Sequence, residues 1–573
     1  MMERGSFIPT SKKEIDALGW DYIDVIIFTG DAYVDHPSFG TAVIARVLQS
    51  NGYRVAIVPQ PNWRDDLRDF RKLGEPRLFF GVNSGAMDSM VNHYTAAKRL
   101  RSNDAYTPNG APGMRPDYAV KVYSNILKKL YPYTPVVIGG IEASLRRFTH
   151  YDYWQDKLLP SVLVESKADY LIYGMGEKAI VDLARHIEDG NWEDKNKLQQ
   201  VAWLSDEKPQ ESPDRIFLHS YEKCLKDKKA FVENFNVIET EANRMTARQM
   251  VEQVGNKYLC VNSPYPLPDV EELDSYYDLP YTKLPHPRYK GKHIPAYEMI
   301  KFSINTHRGC FGGCSFCTIA AHQGKHIQSR SERSILEEIE RLNSLQGFAG
   351  NISDLGAPTA NMYGMCGNDL TVCQKCFRKS CLFPKRCPNL NNSHRRLIKL
   401  YKSVSQIKGI RNAYIGSGIR YDLFLDEKGF LDSSSKPYFE ELVTRHTSGR
   451  LKVAPEHTEQ NVLDLMGKPS FGLFERLKRE FDKLVKEKGL RYQIVPYFIS
   501  SHPGCTMKEM ENLASNRALK GVYTDQVQDF TPTPMTRSSA MYYAQMDTKT
   551  FKPVFVEKNV ERKKMQKSYF FNK

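Results

Sequence analysis

Arg308-Gly-Cys310-Phe-Gly-Gly-Cys314-Ser-Phe-Cys317 follows directly on the apolar strand signal of Ile300–Asn305. The three cysteines fall within eight residues on a loop that also carries Gly309, Gly312 and Gly313. Three thiolates hold three corners of a four-iron cluster, whereas a cluster bound wholly by protein has four. Glycine lets a backbone wrap closely and turn its N–H groups toward the cluster sulfurs. The fourth iron is then open to a bidentate ligand. Two other readings exist for three such cysteines. One is a zinc knuckle completed by a cysteine from elsewhere; the other is a set of buried, inert thiols.

Downstream of this loop, strand and helix signals alternate. Strands are expected at Ile300–Asn305, Asn351–Leu355, Asn412–Ile415, Arg450–Val453, Tyr492–Phe498 and Asp525–Phe530, with helices near 331–345, 391–407, 435–446, 470–488 and 507–519. Six β/α units suit an open, partial barrel better than a closed eight-stranded one. The active face of such a barrel lies where the strands end, and the cysteine loop sits just past the first. Upstream, short apolar runs at Asp24–Phe28, Arg54–Val58, Leu78–Val82, Pro135–Ile138 and Ala168–Tyr173 alternate with helices such as Gly40–Asn51 and Lys178–Glu188. That alternation is the mark of a doubly wound α/β domain. Residues 196–295 read as an irregular, Pro-rich extension with a helix near 240–254. The expected layout is therefore a doubly wound domain over 1–195, the extension over 196–295, a partial (β/α)6 barrel over 296–540 with a cysteine-rich insertion at 362–390, and a basic tail over 541–573.

At 573 residues the chain is too long for one ordinary domain. The net charge of +14 is spread along it; it permits an anionic partner without specifying one. No apolar run reaches membrane-spanning length and the N-terminus has no secretory pattern, so a cytoplasmic location with no membrane partner is expected. In a reducing compartment the 11 cysteines do not read as disulfides. Eight of them lie between 310 and 387. Besides the first three these are Cys366, Cys373, Cys376, Cys381 and Cys387, a density that points to a second metal or cluster. Cys224, Cys260 and Cys505 are isolated and read as small buried residues.

The cysteine loop resembles that of the radical S-adenosylmethionine (SAM) superfamily. With Ile327–Ser331, Ile352-Ser-Asp-Leu-Gly-Ala-Pro-Thr-Ala-Asn361, Ser380–Leu390, Ser417–Asp422, Val453-Ala-Pro-Glu-His457 and Pro496–Gly504, the chain resembles the YgiQ (UPF0313-type) family of radical SAM proteins over nearly its whole length. The resemblance implies a [4Fe-4S] cluster on Cys310, Cys314 and Cys317. It implies SAM contacts from Gly356, Pro358 and Thr359, and from Ser417, Arg420 and Glu456. Ala357 departs from the glycine expected there. For Arg420 and Glu456 a structural ion pair is the alternative reading. The family pattern also places cysteines at Cys366, Cys376, Cys381 and Cys387, which makes these the expected second metal site and Cys373 an extra. The segment His36–Val55 resembles the first helix of cobalamin-binding domains. The histidine-ligated cobalamin signature is absent, so a corrinoid is an expectation by fold analogy alone.

The implied function is an enzyme that forms a 5′-deoxyadenosyl radical from SAM, served by an electron donor such as flavodoxin or ferredoxin, and acting on an unspecified substrate. An RNA-modifying radical enzyme is one alternative, though the sequence holds no dedicated nucleic-acid module. A non-catalytic iron–sulfur or electron-transfer protein is another.

Overall fold

Val25–Thr29 (β1) is apolar on both faces and buried along its whole length, as suits a strand covered on both sides. Val55–Pro59 (β2) and Phe79–Asn83 (β3) flank it in parallel. Val136–Ile138 (β4) and Tyr170–Ile172 (β5) extend the parallel run. The period of two sorts its side chains between two cores. Val25 and Ile27 pack with the helices Gly40–Ser50 and Glu177–Glu188. Ile26 and Phe28 pack with Ala119–Leu130 on the opposite face. The doubly wound arrangement follows from that alternation. The computed structural model describes residues 6–190, 195–522 and 526–570.

The sheet continues past residue 195, which corrects the irregular extension expected over 196–295. Val201–Ser205 (β6), Arg215–Phe217 (β7), Gln249–Val254 (β8) and Lys257–Val261 (β9) join it, giving nine strands in the order β2-β1-β3-β4-β5-β6-β9-β8-β7. β6 runs antiparallel to β5, and β8 and β9 form an antiparallel hairpin. The helix expected near 240–254 lies instead at Lys228–Ala242. The cause is Gln249-Met-Val-Glu-Gln-Val254, whose polar residues mask a buried strand. Glu252 is fully buried there and accepts from the Thr149 amide at 2.9 Å.

The second half carries Ser303–Asn305 (β10), Asn351–Ile352 (β11), Asp354–Gly356 (β12), Asn412–Ala413 (β13), Arg450–Glu456 (β14), Gln493–Ser500 (β15) and Val527–Asp529 (β16). β11 and β12 together occupy the second expected strand. These seven strands pair in parallel: β10 with β12, β11 with β13, β14 with β15, and β15 with β16. A parallel bridge from Ile419 to Val453 links the third unit to the fourth. Glu332–Leu342, Arg395–Ser405, Ser435–Arg445, Phe471–Glu487 and Met507–Ser515 are the intervening helices, in the expected places. Asp525, the expected start of the sixth strand, lies outside the described residues. The basic tail packs against this half. Gln566 is fully buried and accepts from the backbone and hydroxyl of Ser501.

A buried ion pair joins the two halves. Arg308, at the entrance to the cysteine loop, meets Glu177 at 2.7 Å, at the start of the helix that follows β5. The barrel loops thereby face the carboxyl ends of the N-terminal strands, where doubly wound sheets bind ligands.

Candidate functional site

The cysteine loop has no room for side chains at its glycines. Gly313 sits at φ +64, and a β-carbon there would lie 2.6 Å from Cβ of Ser380. One at Gly312 would lie 2.5 Å from Arg420 Nη1 and 3.3 Å from the sulfur of Cys310. Ser380 holds the loop from outside by donating to the Gly312 carbonyl at 2.7 Å. The loop backbone is also tied to the rest of the barrel, with the Cys310 amide donating to Gly324 and the Ser315 amide to Met466.

Polar groups converge on the sulfurs. Arg420 Nη1 donates to Cys314 Sγ at 3.2 Å. Cys310 Sγ shares a hydrogen bond with the Thr359 hydroxyl at 3.4 Å. Burial raises the Cys310 thiol and pushes Cys317 up to about 12. Thiols in that state are inert, and a metal cation reverses the balance by binding the thiolate. Among the described residues no three Cys, His, Asp or Glu side chains meet at one point to hold a single ion. A four-iron cluster does not need them to, because each thiolate takes its own iron. The donor set, the glycine cradle and the N–H donor on sulfur all fit such a cluster.

The turn after β12 is fixed by a carboxylate that the sequence reading passed over. Asp354 accepts from the amides of Gly416 and Ser417 at 2.9 and 3.1 Å, and also from the Ser417 hydroxyl. Burial raises its pKa despite those bonds. Gly356 packs beneath; a β-carbon there would stand 2.8 Å from both Asp354 Oδ1 and Ser417 Oγ. Asp354, Pro358 and Ser417 open onto a cavity of about 860 Å³. Its far wall is the N-terminal sheet, with Gly139, Gly140, Gly174 and Gly176 at the strand ends.

The six residues expected to contact SAM thus divide. Pro358 and Ser417 line the cavity, while Thr359 and Arg420 touch cysteine sulfurs. Glu456 stands 3.7 Å from Lys468. Arg420 forms a fork on Asp422 at 3.0 and 2.5 Å. Both charged residues thus stand in ion pairs, and Arg420 keeps one nitrogen for Cys314. Asn361 positions Arg420, accepting from its amide and donating to its carbonyl, each at 2.8 Å.

In the second cysteine group Cys366 is exposed, on a two-residue strand paired with Leu390–Asn391. Cys373, Cys376, Cys381 and Cys387 are half-buried. The Cys376 amide donates to the Cys373 carbonyl at 3.1 Å, which sets these two side by side. Lys325, buried beside them, was not legible as part of this group.

His36 is buried and does not line the cavity; its Nδ1 accepts from the Ser38 amide at 3.1 Å. His322 does line it and bonds Ser144 Oγ at 3.1 Å. Cys224, Cys260 and Cys505 are buried, as expected.

A parallel, partial barrel headed by a glycine-wrapped three-cysteine loop is the build of a radical SAM protein. A family profile described as "Radical SAM N-terminal" matches residues 7–303, and one for a "Domain of unknown function (DUF3362)" matches 525–572. A UPF0313 protein of Bacteroides thetaiotaomicron is 55% identical over 99% of this chain and 94% of its own length. One from Porphyromonas gingivalis is 53% identical over 99% and 90%. The chain belongs to the UPF0313 family of radical SAM proteins. It is also similar to a solved structure of the radical S-adenosylmethionine methyltransferase TsrM from Kitasatospora setae with cobalamin and a [4Fe-4S] cluster bound. That likeness has a TM-score of 0.46 and 15% identity, over 90% of this chain and 74% of that one; at this level it carries no argument about ligands. No helix among the described residues is long and apolar enough to cross a membrane.

Proposed function

We propose that this chain is an enzyme that holds a four-iron cluster on Cys310, Cys314 and Cys317 and cleaves SAM beside it. The observation that carries the reading is the convergence of Arg420 and Thr359 on sulfurs of a loop whose glycines admit no side chain. When bound, the cluster and SAM supply one-electron cleavage of the sulfonium C5′–S bond, giving methionine and a 5′-deoxyadenosyl radical, the electron coming from a flavodoxin- or ferredoxin-type donor. The protein's part is positional. Arg420 offsets thiolate charge and Asp354 fixes the Ser417 turn. Anaerobic reconstitution followed by chemical reduction with SAM tests this. The expected product is 5′-deoxyadenosine, and SAM should perturb the paramagnetic resonance spectrum of the cluster. An intact cluster that yields no product above background would overturn the proposal and favour a non-catalytic electron carrier.

The cavity supports a second reading, binding of a corrinoid. Glycines at the ends of β4 and β5 let a broad, flat ligand lie against the backbone. His36 is not on the cavity wall, so no cobalt ligand is expected from it. Incubation with hydroxocobalamin and gel filtration tests this reading; a protein peak without corrinoid absorbance removes it.

A further inference from the structure

Beside the second cysteine group lies a buried charge that needs a counterpart. Lys325 is 2% exposed. Its ammonium donates to the Arg378 carbonyl at 2.5 Å and to Cys376 Sγ at 3.8 Å. Among the described residues it pairs with no carboxylate. A buried cation without an anion is strongly unfavourable, and the thiols are the groups beside it that can become anions.

Other donors also aim at these sulfurs. The Arg378 amide donates to Cys376 Sγ at 3.3 Å, and Asn389 Nδ2 to Cys373 Sγ at 3.4 Å. Neutral thiols are weak acceptors, whereas N–H groups directed at sulfur are the usual surroundings of metal-bound thiolates. The backbone draws the four into two pairs. The Cys376 amide donates to the Cys373 carbonyl at 3.1 Å and the Cys387 amide to the Cys381 carbonyl at 2.7 Å. The group is also joined to the first loop, because the Cys381 amide donates to the Phe311 carbonyl at 3.0 Å. Phe311 packs in one apolar cluster with Cys310, Cys381 and Cys387.

We infer that Cys376, Cys381 and Cys387, with a fourth thiolate from the Cys366–Cys373 turn, bind a second iron–sulfur cluster, with Lys325 as its buried counter-charge. Cys373 is joined to Cys376 through the backbone, and Cys366 lies exposed on the short strand before it. Four thiolates are the set that a cluster bound wholly by protein uses. The site is independent of SAM cleavage at the first loop.

The test is anaerobic reconstitution of the full chain carrying C310A, C314A and C317A. About four irons and four sulfides per chain should remain, the content of one four-iron cluster. Their resonance signal should be insensitive to SAM. Retention of neither iron nor sulfide, or of zinc alone, overturns the inference. If that variant does not fold, Cys381→Ser in an otherwise intact chain serves instead. It should lose about half the iron of the two-cluster protein and keep the SAM-sensitive signal; full retention of iron overturns the second site. A SAM-sensitive signal missing from both the wild type and Cys381→Ser would count against the first loop, not the second. Cys366→Ser and Cys373→Ser are compared last. Loss of the SAM-insensitive iron in one of them supports a fourth ligand from this turn, and retention in both overturns it.

Discussion

Arg420 directs one nitrogen at the sulfur of Cys314, 3.2 Å away, and gives the other edge of its guanidinium to Asp422. The side chain is therefore both a partner to the cysteine loop and half of a buried ion pair. Arg420→Met separates these roles. It leaves Asp422, whose side chain is 14% exposed, without its guanidinium partner, and breaking a buried pair costs up to about 3–5 kcal/mol. A clear fall in melting temperature is expected, together with faster loss of iron to a chelator. Adding Asp422→Asn removes the orphaned charge and should restore most of the melting temperature while leaving the iron labile. Recovery of both would mean that Arg420 serves the fold alone.

The glycine cradle predicts a graded pair of alanine variants. Gly313→Ala places a methyl group 2.6 Å from Ser380 Cβ and 2.7 Å from the Lys379 carbonyl at a positive φ. Overpacking of this kind costs about 1–3 kcal/mol, with a further cost of about 1 kcal/mol for the left-handed backbone. Gly324→Ala, at φ +91 with nothing within 4 Å, carries backbone strain only. Iron uptake should fall sharply in the first variant and little in the second. Equal uptake would show that the loop is looser than its contacts imply.

Much of this was legible in the chain itself, for identifiable reasons. The barrel strands and helices fell where the apolar periodicity put them, because each segment buries one clear stripe. The cysteine loop was readable because its chemistry is local. Asp354, Asn361 and Lys325 were not, since each acts across the fold on a partner 51 to 63 residues away; the nearest sign was a carboxylate within an otherwise apolar strand. The nine-stranded sheet was cut short at residue 195 for a related reason. A strand that buries Glu252 does not look like a strand to a reading based on hydropathy.

Glu252 makes a pH prediction. It is fully buried; desolvation raises its pKa to about 7, while the Thr149 amide only partly offsets this. The folded chain therefore holds a proton that the unfolded chain has released above about pH 4.3. Stability from this group is present at low pH and declines as pH rises toward 7, because the native state binds more protons there than the unfolded state. In Glu252→Gln that decline should vanish. The difference in melting temperature between variant and wild type should grow in the variant's favour from pH 5 to pH 8. A difference that does not change with pH would place the proton elsewhere.

The turn held by Asp354 yields the prediction closest to ligand binding. Ser417→Ala removes one hydroxyl from the cavity wall but leaves the carboxylate bonded to the amides of Gly416 and Ser417. Stability should hardly change. A lost hydrogen bond of about 1.4 kcal/mol corresponds to about tenfold weaker SAM binding. Asp354→Ala strips the partner from both amides, and each unsatisfied buried donor costs about 1–3 kcal/mol. That variant should lose both melting temperature and SAM affinity. Titrating SAM against the resonance spectrum of the reduced cluster, alongside thermal melts, distinguishes the two variants. If Ser417→Ala bound SAM as tightly as wild type, the hydroxyl would be a support for Asp354 and not a ligand contact. The SAM-binding role of the turn would then rest on Pro358 and the backbone beside it.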